Sequence, residues 1–224
     1  MKLVLIGKKR LMEQLIKMLH EDIAFLVVEK NKYWSIDGII NYCENFGISY
    51  SYNAKDIFKL KDIDYIISAQ SSTILNKRLL SYPKYGCLNI HFGKLPEYRG
   101  FYPVYHQIIN GEKYAFTTIH FMDESIDTGD IVIEGKIPIA DKTAEKIFYE
   151  LCDKSCLILG KIYKDMKLGY LTRKKQEGIA HYYDKNSVDF KERLEYFNRL
   201  YRALYFPRFQ IPELNNKRSG LDEI

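Results

Sequence analysis

Four short apolar runs recur along the first ninety residues and restrict the fold more than any other feature. They are L-V-L-I at 3–6, I-A-F-L-V-V at 23–28, I-D-Y-I-I-S at 63–68 and G-C-L-N-I-H at 86–91. A run with so little polar alternation reads as a strand buried on both faces, the kind found in parallel sheets. Helical segments separate the runs. Leu11, Leu15, Ile16 and Leu19 recur at helical spacing across 10–20, and 36–46 reads as a helix closed by Gly47. A short strand is expected at 48–52 and a short helix at 74–80. This alternation predicts a Rossmann-like α/β domain, a mostly parallel sheet with helices on both faces. Gly7-Lys8-Lys9-Arg10 follows the first run but is not G-x-G-x-x-G, which argues against a dinucleotide there.

Beyond residue 100 the spacing predicts a helix at 104–109, β-rich stretches at 115–122 and 131–139 around a polar turn, and a long amphipathic helix at 143–166. Composition shifts near Leu168 to a polar, aromatic tail. The expected division is therefore a main domain of 1–167 and a small C-terminal extension of 168–224. The extension reads as a strand at 180–183, a helix at 189–204 and an extended end at 205–212.

Bulk properties exclude several classes. The hydrophobic share of 46% argues against disorder. A formal charge of +5, spread along the chain, suits a small anionic ligand better than a nucleic-acid partner. No apolar run approaches the ~18 residues of a membrane helix, and residues 1–7 are too short for a signal h-region. The four cysteines show no C-x-x-C spacing. Cys152 and Cys156, four apart on an expected helix, read as a shared apolar face and not as a metal site. A cytoplasmic protein with reduced thiols is expected, with no metal, membrane or nucleic-acid partner.

Chemistry concentrates in two places. Asn89 and His91 share one face of a strand, because side chains alternate. The strand ends at His91, since Gly93, Pro96 and Gly100 cannot continue it. Ligands of open parallel sheets bind at this carboxyl edge. The second place is Asp123-Glu124-Ser125-Ile126-Asp127-Thr128-Gly129-Asp130, with three Asp and one Glu in eight residues, which taken alone reads as a solvated hairpin turn. It misses the glycine that a calcium loop requires at its sixth position. His120 and His106 read as packed histidines, and His20 and His181 as non-catalytic.

Taken together, N-x-H, L-P-x-Y-R-G and H-F-x-D-x-x-x-D-T-G-D resemble the folate-dependent formyltransferases, most closely over 65–135. The resemblance implies a Rossmann-like fold and a catalytic set of Asn89, His91 and Asp127. It also implies N10-formyltetrahydrofolate as co-substrate, held by Thr73, Ile74 and Leu75 and by Asp123 and Ile126 of the acidic turn. In such chemistry a neutral amine attacks the formyl carbon and an oxyanion develops. Asn89 can donate to that oxygen, and one such donor is worth roughly 10²–10³ in rate. His91 can serve as base or as oxyanion stabiliser, and Asp127 can orient His91 or relay protons. The sequence departs from the family's S-L-L-P loop, with Gly93-Lys94-Leu95-Pro96 in its place.

The tail R-A-L-Y-F-P at 202–207 resembles that of the sugar N-formyltransferases. The acceptor expected from this is a dTDP-linked amino-dideoxysugar of the 4-amino-4,6-dideoxyglucose type, made for a surface polysaccharide. The alternatives are a 3-amino-3,6-dideoxysugar, a phosphoribosylglycinamide-like acceptor, a formyl-folate hydrolase, and a nucleotide-sugar binding module without catalysis. The short extension argues against methionyl-tRNA formyltransferase, which carries a larger RNA-binding domain. Phe92, Gly93, Lys94, Tyr98, Arg99 and Arg202 are candidate acceptor contacts, and Tyr183 or Phe209 could stack on thymine. The aromatic tail suggests a homodimer.

Overall fold

A computed structural model describes residues 1–30 and 35–186 of the 224. The helix and extended end expected over 189–212, with Arg202 and Phe209, lie outside the described residues. The first compact unit runs from Met1 to Ser187.

Strands β1 (Leu3–Gly7), β2 (Ile23–Val28), β3 (Tyr50–Ser51), β4 (Tyr65–Ala69), β5 (Gly86–His91), β7 (Tyr114–Phe121) and β8 (Ile131–Pro138) form one sheet in the order β3-β2-β1-β4-β5-β7-β8. The five strands from β3 to β5 are parallel, and β7 and β8 join antiparallel. The order reverses at β1, where β4 follows on the side opposite β2. That reversal opens the crevice in which open α/β sheets hold ligands.

Both faces are covered, and β1 shows why its run is wholly apolar. Leu3 and Leu5 join one buried cluster with α1 (Lys9–Leu19), α2 (Asp37–Phe46) and α5 (Ala144–Leu168). Val4 and Ile6, on the other face, join a second cluster with a 3₁₀ turn (Ala54–Lys59) and α3 (Lys77–Leu80). Helix α5 is capped as its sequence predicts. The Thr143 side chain accepts from the Lys146 N–H at 3.1 Å, and Gly169 closes the far end with φ 74°.

One pairing was not expected. Strand β6 (Arg99–Gly100) and strand β9 (Tyr182–Tyr183) pair in parallel as a separate two-stranded sheet. Through it the residues after α5 return to the loop that follows His91. Helix α4 (Pro103–Ile109) starts just beyond that loop.

Candidate active site

Strand β5 carries Asn89 and His91 on one face, two residues apart. The antiparallel register of β7 sets His120 directly opposite Asn89, close enough for side chains to touch. Asp127 arrives from the turn between β7 and β8. Its backbone is left-handed, with φ 55°, a conformation that Asp tolerates better than most residues.

The Asp127 carboxylate joins these elements. Its Oδ1 accepts from Asn89 Nδ2 at 3.1 Å and lies 3.3 Å from His120 Nε2. Its Oδ2 accepts from the Gly100 N–H at 2.9 Å and lies 3.4 Å from His91 Nδ1. The His91 and Asp127 side chains are 7% and 9% exposed. Asn89, His91 and Asp127, predicted as a set, thus meet at one point. His120 was expected to be a packed histidine. It is buried and its Nδ1 faces the Phe121 carbonyl at 2.8 Å, yet its Nε2 points into the site, 3.2 Å from Asn89 Nδ2.

Burial and charge act against each other here. For Asp127, burial raises the carboxyl pKa, but the neighbouring charge of His91 and the contacts with His120 and the Gly100 N–H outweigh it. The group lies well below the usual carboxylate range. His91 is pushed down by burial, with Asp127 pulling the other way. Both His91 nitrogens face oxygens, Nδ1 toward Asp127 and Nε2 toward the Tyr98 carbonyl at 2.6 Å. A neutral ring has one N–H and can satisfy only one of them, so the pair is poised for proton movement.

The loop after His91 is packed more than its polar sequence suggests. Phe92 is core and stacks edge-on against Phe148, with ring centroids 5.2 Å apart. Tyr98 is buried, and its hydroxyl donates to Glu112 at 2.7 Å. Lys94 pairs with Glu97. Arg99 donates from Nε and Nη2 to Gln176 Oε1 at 3.1 and 2.7 Å, so its fork is engaged within the protein. Tyr183 stacks on His106 with centroids 3.7 Å apart. Gly93 is required by close approach. A Cβ there would lie 2.6 Å from His91 Nε2 and 2.8 Å from the Tyr98 oxygen.

The loop after β4 is gathered by one carboxylate. Glu29, the first residue past β2, accepts from the Ser71 hydroxyl, from Ser72 N–H and from Thr73 N–H (2.8 Å) and Oγ1 (2.6 Å). Lys8 stands 3.3 Å away. Burial alone would raise the Glu29 carboxyl, but these donors hold it at about 2. Sequence reasoning missed Glu29, although an acid that ends an apolar strand run is a readable signal. Both polar donors of Thr73 therefore serve this loop. Leu75 is buried in the second cluster, whereas Ile74 is 80% exposed. On the β7–β8 turn, Ile126 is 41% exposed, Asp123 caps its own turn by accepting from Ser125 N–H, and Glu124 pairs with Lys77 at 3.1 Å. Among the described residues no cluster of His, Cys, Asp or Glu is arranged to hold a metal ion, and no helix is long and apolar enough to cross a membrane.

Comparison with known proteins agrees with this geometry. The family described as Formyl transferase matches residues 2–155. Methionyl-tRNA formyltransferase of Clostridium beijerinckii is 35% identical over 175 residues, 75% of this chain and 57% of that protein. The Clostridium tetani enzyme of the same name is 43% identical over 90 residues, 40% of this chain and 29% of that protein. The chain thus spans less than two thirds of either. Among solved structures, an N-formyltransferase of Helicobacter canadensis, in complex with folinic acid and dTDP-3-aminofucose, shares the fold with a TM-score of 0.71 at 22% identity. That match covers 85% of this chain and 73% of the other. A 4-N formyltransferase of Francisella tularensis does so with a TM-score of 0.68 at 22% identity, covering 83% and 77%. The family match spans the strands, the polar set on β5 and the acidic turn alike, and the chain belongs to the formyl transferase family.

Proposed function

We propose that this chain transfers a formyl group from N10-formyltetrahydrofolate to the amine of a dTDP-linked amino-dideoxysugar, of the 4-amino-4,6-dideoxyglucose type. The observation that carries the reaction is the convergence of Asn89, His91 and His120 on the Asp127 carboxylate at the carboxyl edge of β5. Ile74, Ile126 and the backbone of the two facing loops would hold the folate, which supplies the formyl carbon.

The chain's own residues divide the remaining work. Asn89 presents its amide to Asp127 and His120; an oxygen gaining charge in the reaction would replace one of these contacts. Donation of this kind is worth roughly 10²–10³ in rate. His91 has Nδ1 held toward Asp127, which leaves Nε2 as the site for the acceptor's proton. An amine reaching Nε2 must share or replace the Tyr98 carbonyl contact. The negative Asp127 stabilises the imidazolium that results, which gives the proton up to the folate nitrogen as that nitrogen's bond to the formyl carbon breaks. Burial keeps His91 neutral beforehand and able to accept a proton.

The nucleotide-sugar acceptor is supported by the two structural neighbours named above, one in complex with dTDP-3-aminofucose and the other a 4-N formyltransferase, and by the 202–207 tail. Its assembly as a cytoplasmic homodimer belongs to the same proposal. A second reading, transfer to methionyl-tRNA, is favoured by the 35% identity with the C. beijerinckii enzyme. Incubation with formyl-folate and a panel of dTDP- and UDP-aminosugars, with charged methionyl-tRNA as a further acceptor, separates the two by product mass. A formamido sugar supports the proposal. Formylation of the tRNA alone, or of nothing, overturns it.

A further inference from the structure

Gln176 lies beyond α5, on the segment that runs from β8 back to β6. Backbone pairing anchors the segment on both sides. Lys174 exchanges hydrogen bonds with Ile131 at 2.7 and 2.9 Å, and Arg99 N–H donates to the His181 carbonyl at 3.0 Å. Between these anchors the Gln176 amide uses its full hydrogen-bonding capacity. Its Nε2 donates to the Asp127 carbonyl at 2.9 Å and to the Gly129 carbonyl at 2.8 Å. Its Oε1 accepts both Arg99 nitrogens, at 3.1 and 2.7 Å. A guanidinium only donates and carbonyls only accept, so the orientation of the amide is fixed by its partners.

The carbonyl that Gln176 holds belongs to a residue in the left-handed region, Asp127 at φ 55°. Asp visits this region more readily than most residues, yet holding one orientation there takes partners on its backbone or side chain. The Asp127 side chain cannot supply that constraint alone, because its oxygens face Asn89, His91, His120 and Gly100 and must stay aimed there. We propose that Gln176, itself fixed by Arg99, is a positioning residue that holds the Asp127 backbone so that its carboxylate meets His91. This rests on the formyl-transfer reading for its consequence in catalysis. It assigns Arg99 to the support of Asp127 in place of the acceptor phosphate.

The test uses the full chain with Gln176→Met, Gln176→Glu, Arg99→Met and the double variant Arg99→Met/Gln176→Met. Gln176→Glu keeps an acceptor for Arg99 but loses both donors to the carbonyls. Each single variant is expected to lower kcat about 10- to 100-fold, the scale of an ångström of misplacement, with the formyl-folate KM within twofold of wild type. The double variant should be no slower than the slower single one, because both act through one chain of contacts. Wild-type kcat in Gln176→Met, or losses that multiply in the double variant, overturns the proposal. If wild type formylates none of the acceptors, the functional reading fails by itself, and the positioning claim is then read from NMR. His91 and His120 ring signals should shift in Gln176→Met while His20 stays fixed. Unchanged His91 and His120 signals overturn it whatever the acceptor.

Discussion

His91 Nδ1 faces Asp127 Oδ2 across 3.4 Å, with strand β5 supplying the ring and the β7–β8 turn supplying the carboxylate. The contact joins a buried base to a buried charge, so shape and charge can be separated by substitution. Asp127→Asn suits the left-handed backbone and keeps the outline of the side chain. It removes the negative charge that stabilises a protonated His91. We expect kcat to fall about 10²–10⁴-fold, the usual scale of acid–base assistance, with a thermal midpoint close to wild type. Steady-state rates together with a melting curve check this; a variant as active as wild type would remove Asp127 from the reaction.

The same pair makes stability depend on pH. Burial sets the folded His91 pKa below its ordinary 6.5, so below pH 6.5 the unfolded chain binds a proton that the folded chain resists. Stability from this group is complete above 6.5 and is lost as pH falls toward the folded pKa. Asp127 is depressed below 3.8, so its contribution holds above 3.8 and fails at more acidic pH. Urea unfolding between pH 8 and 5 should show stability declining, by no more than ~1.4 kcal/mol per pH unit for one proton. The His91→Asn variant should decline less steeply. Identical slopes would show that the folded and unfolded rings bind protons alike.

Much of the fold was legible because buried parallel strands announce themselves. The run at 86–91 became β5 with the expected bounds, and β1 and β2 followed theirs closely. The polar set on β5 and the acidic turn was legible too, since strand alternation and motif spacing are local properties. His120 was misjudged because its place in the site depends on the register between β5 and β7, which pairs it with Asn89. Gln176 left no trace in the sequence. It acts through two carbonyls far away in the chain, and nothing in R-K-K-Q-E-G marks an amide whose partners come from the β7–β8 turn. The pairing of Arg99 with Gln176 was hidden for the same reason, as a basic residue in a glycine loop does not display its partner.

Gly93 gives a third prediction. Its missing side chain leaves room for the Tyr98 carbonyl against His91 Nε2, and an added Cβ would also lie 2.9 Å from Pro103 Cβ. Backbone and ring atoms surround the position, so a methyl cannot be accommodated by rotating a flexible neighbour. Gly93→Ala should destabilise the fold by about 1–3 kcal/mol through overpacking and lower kcat by moving His91 or the loop. Chemical denaturation gives the first quantity. A variant of unchanged stability would mean that the loop relaxes without cost.

Glu29 offers the last prediction, because it separates binding from chemistry. Its carboxylate gathers the loop 71–73 through Ser71, Ser72 and Thr73, and Lys8 balances its charge. The pKa near 2 keeps it ionised throughout the neutral range. Glu29→Ala would remove the acceptor shared by Ser71, Ser72 and Thr73, a loss of about 0.5–1.5 kcal/mol per hydrogen bond, since the Ser72 N–H is exposed and the Thr73 N–H keeps the Ser71 hydroxyl. The loop it holds leads into exposed Ile74, proposed above as a wall for the folate. Asn89, His91 and Asp127 are held by other elements and keep their geometry. The formyl-folate KM should therefore rise, by about tenfold if some 1.4 kcal/mol of the lost ordering reaches the ligand, while kcat changes little. Glu29→Gln, which retains one acceptor oxygen but not the charge, should fall between. A raised KM with kcat preserved would assign the loop to folate binding, whereas a fall in kcat at constant KM would place Glu29 in support of the reacting groups and count against Ile74 as a folate contact.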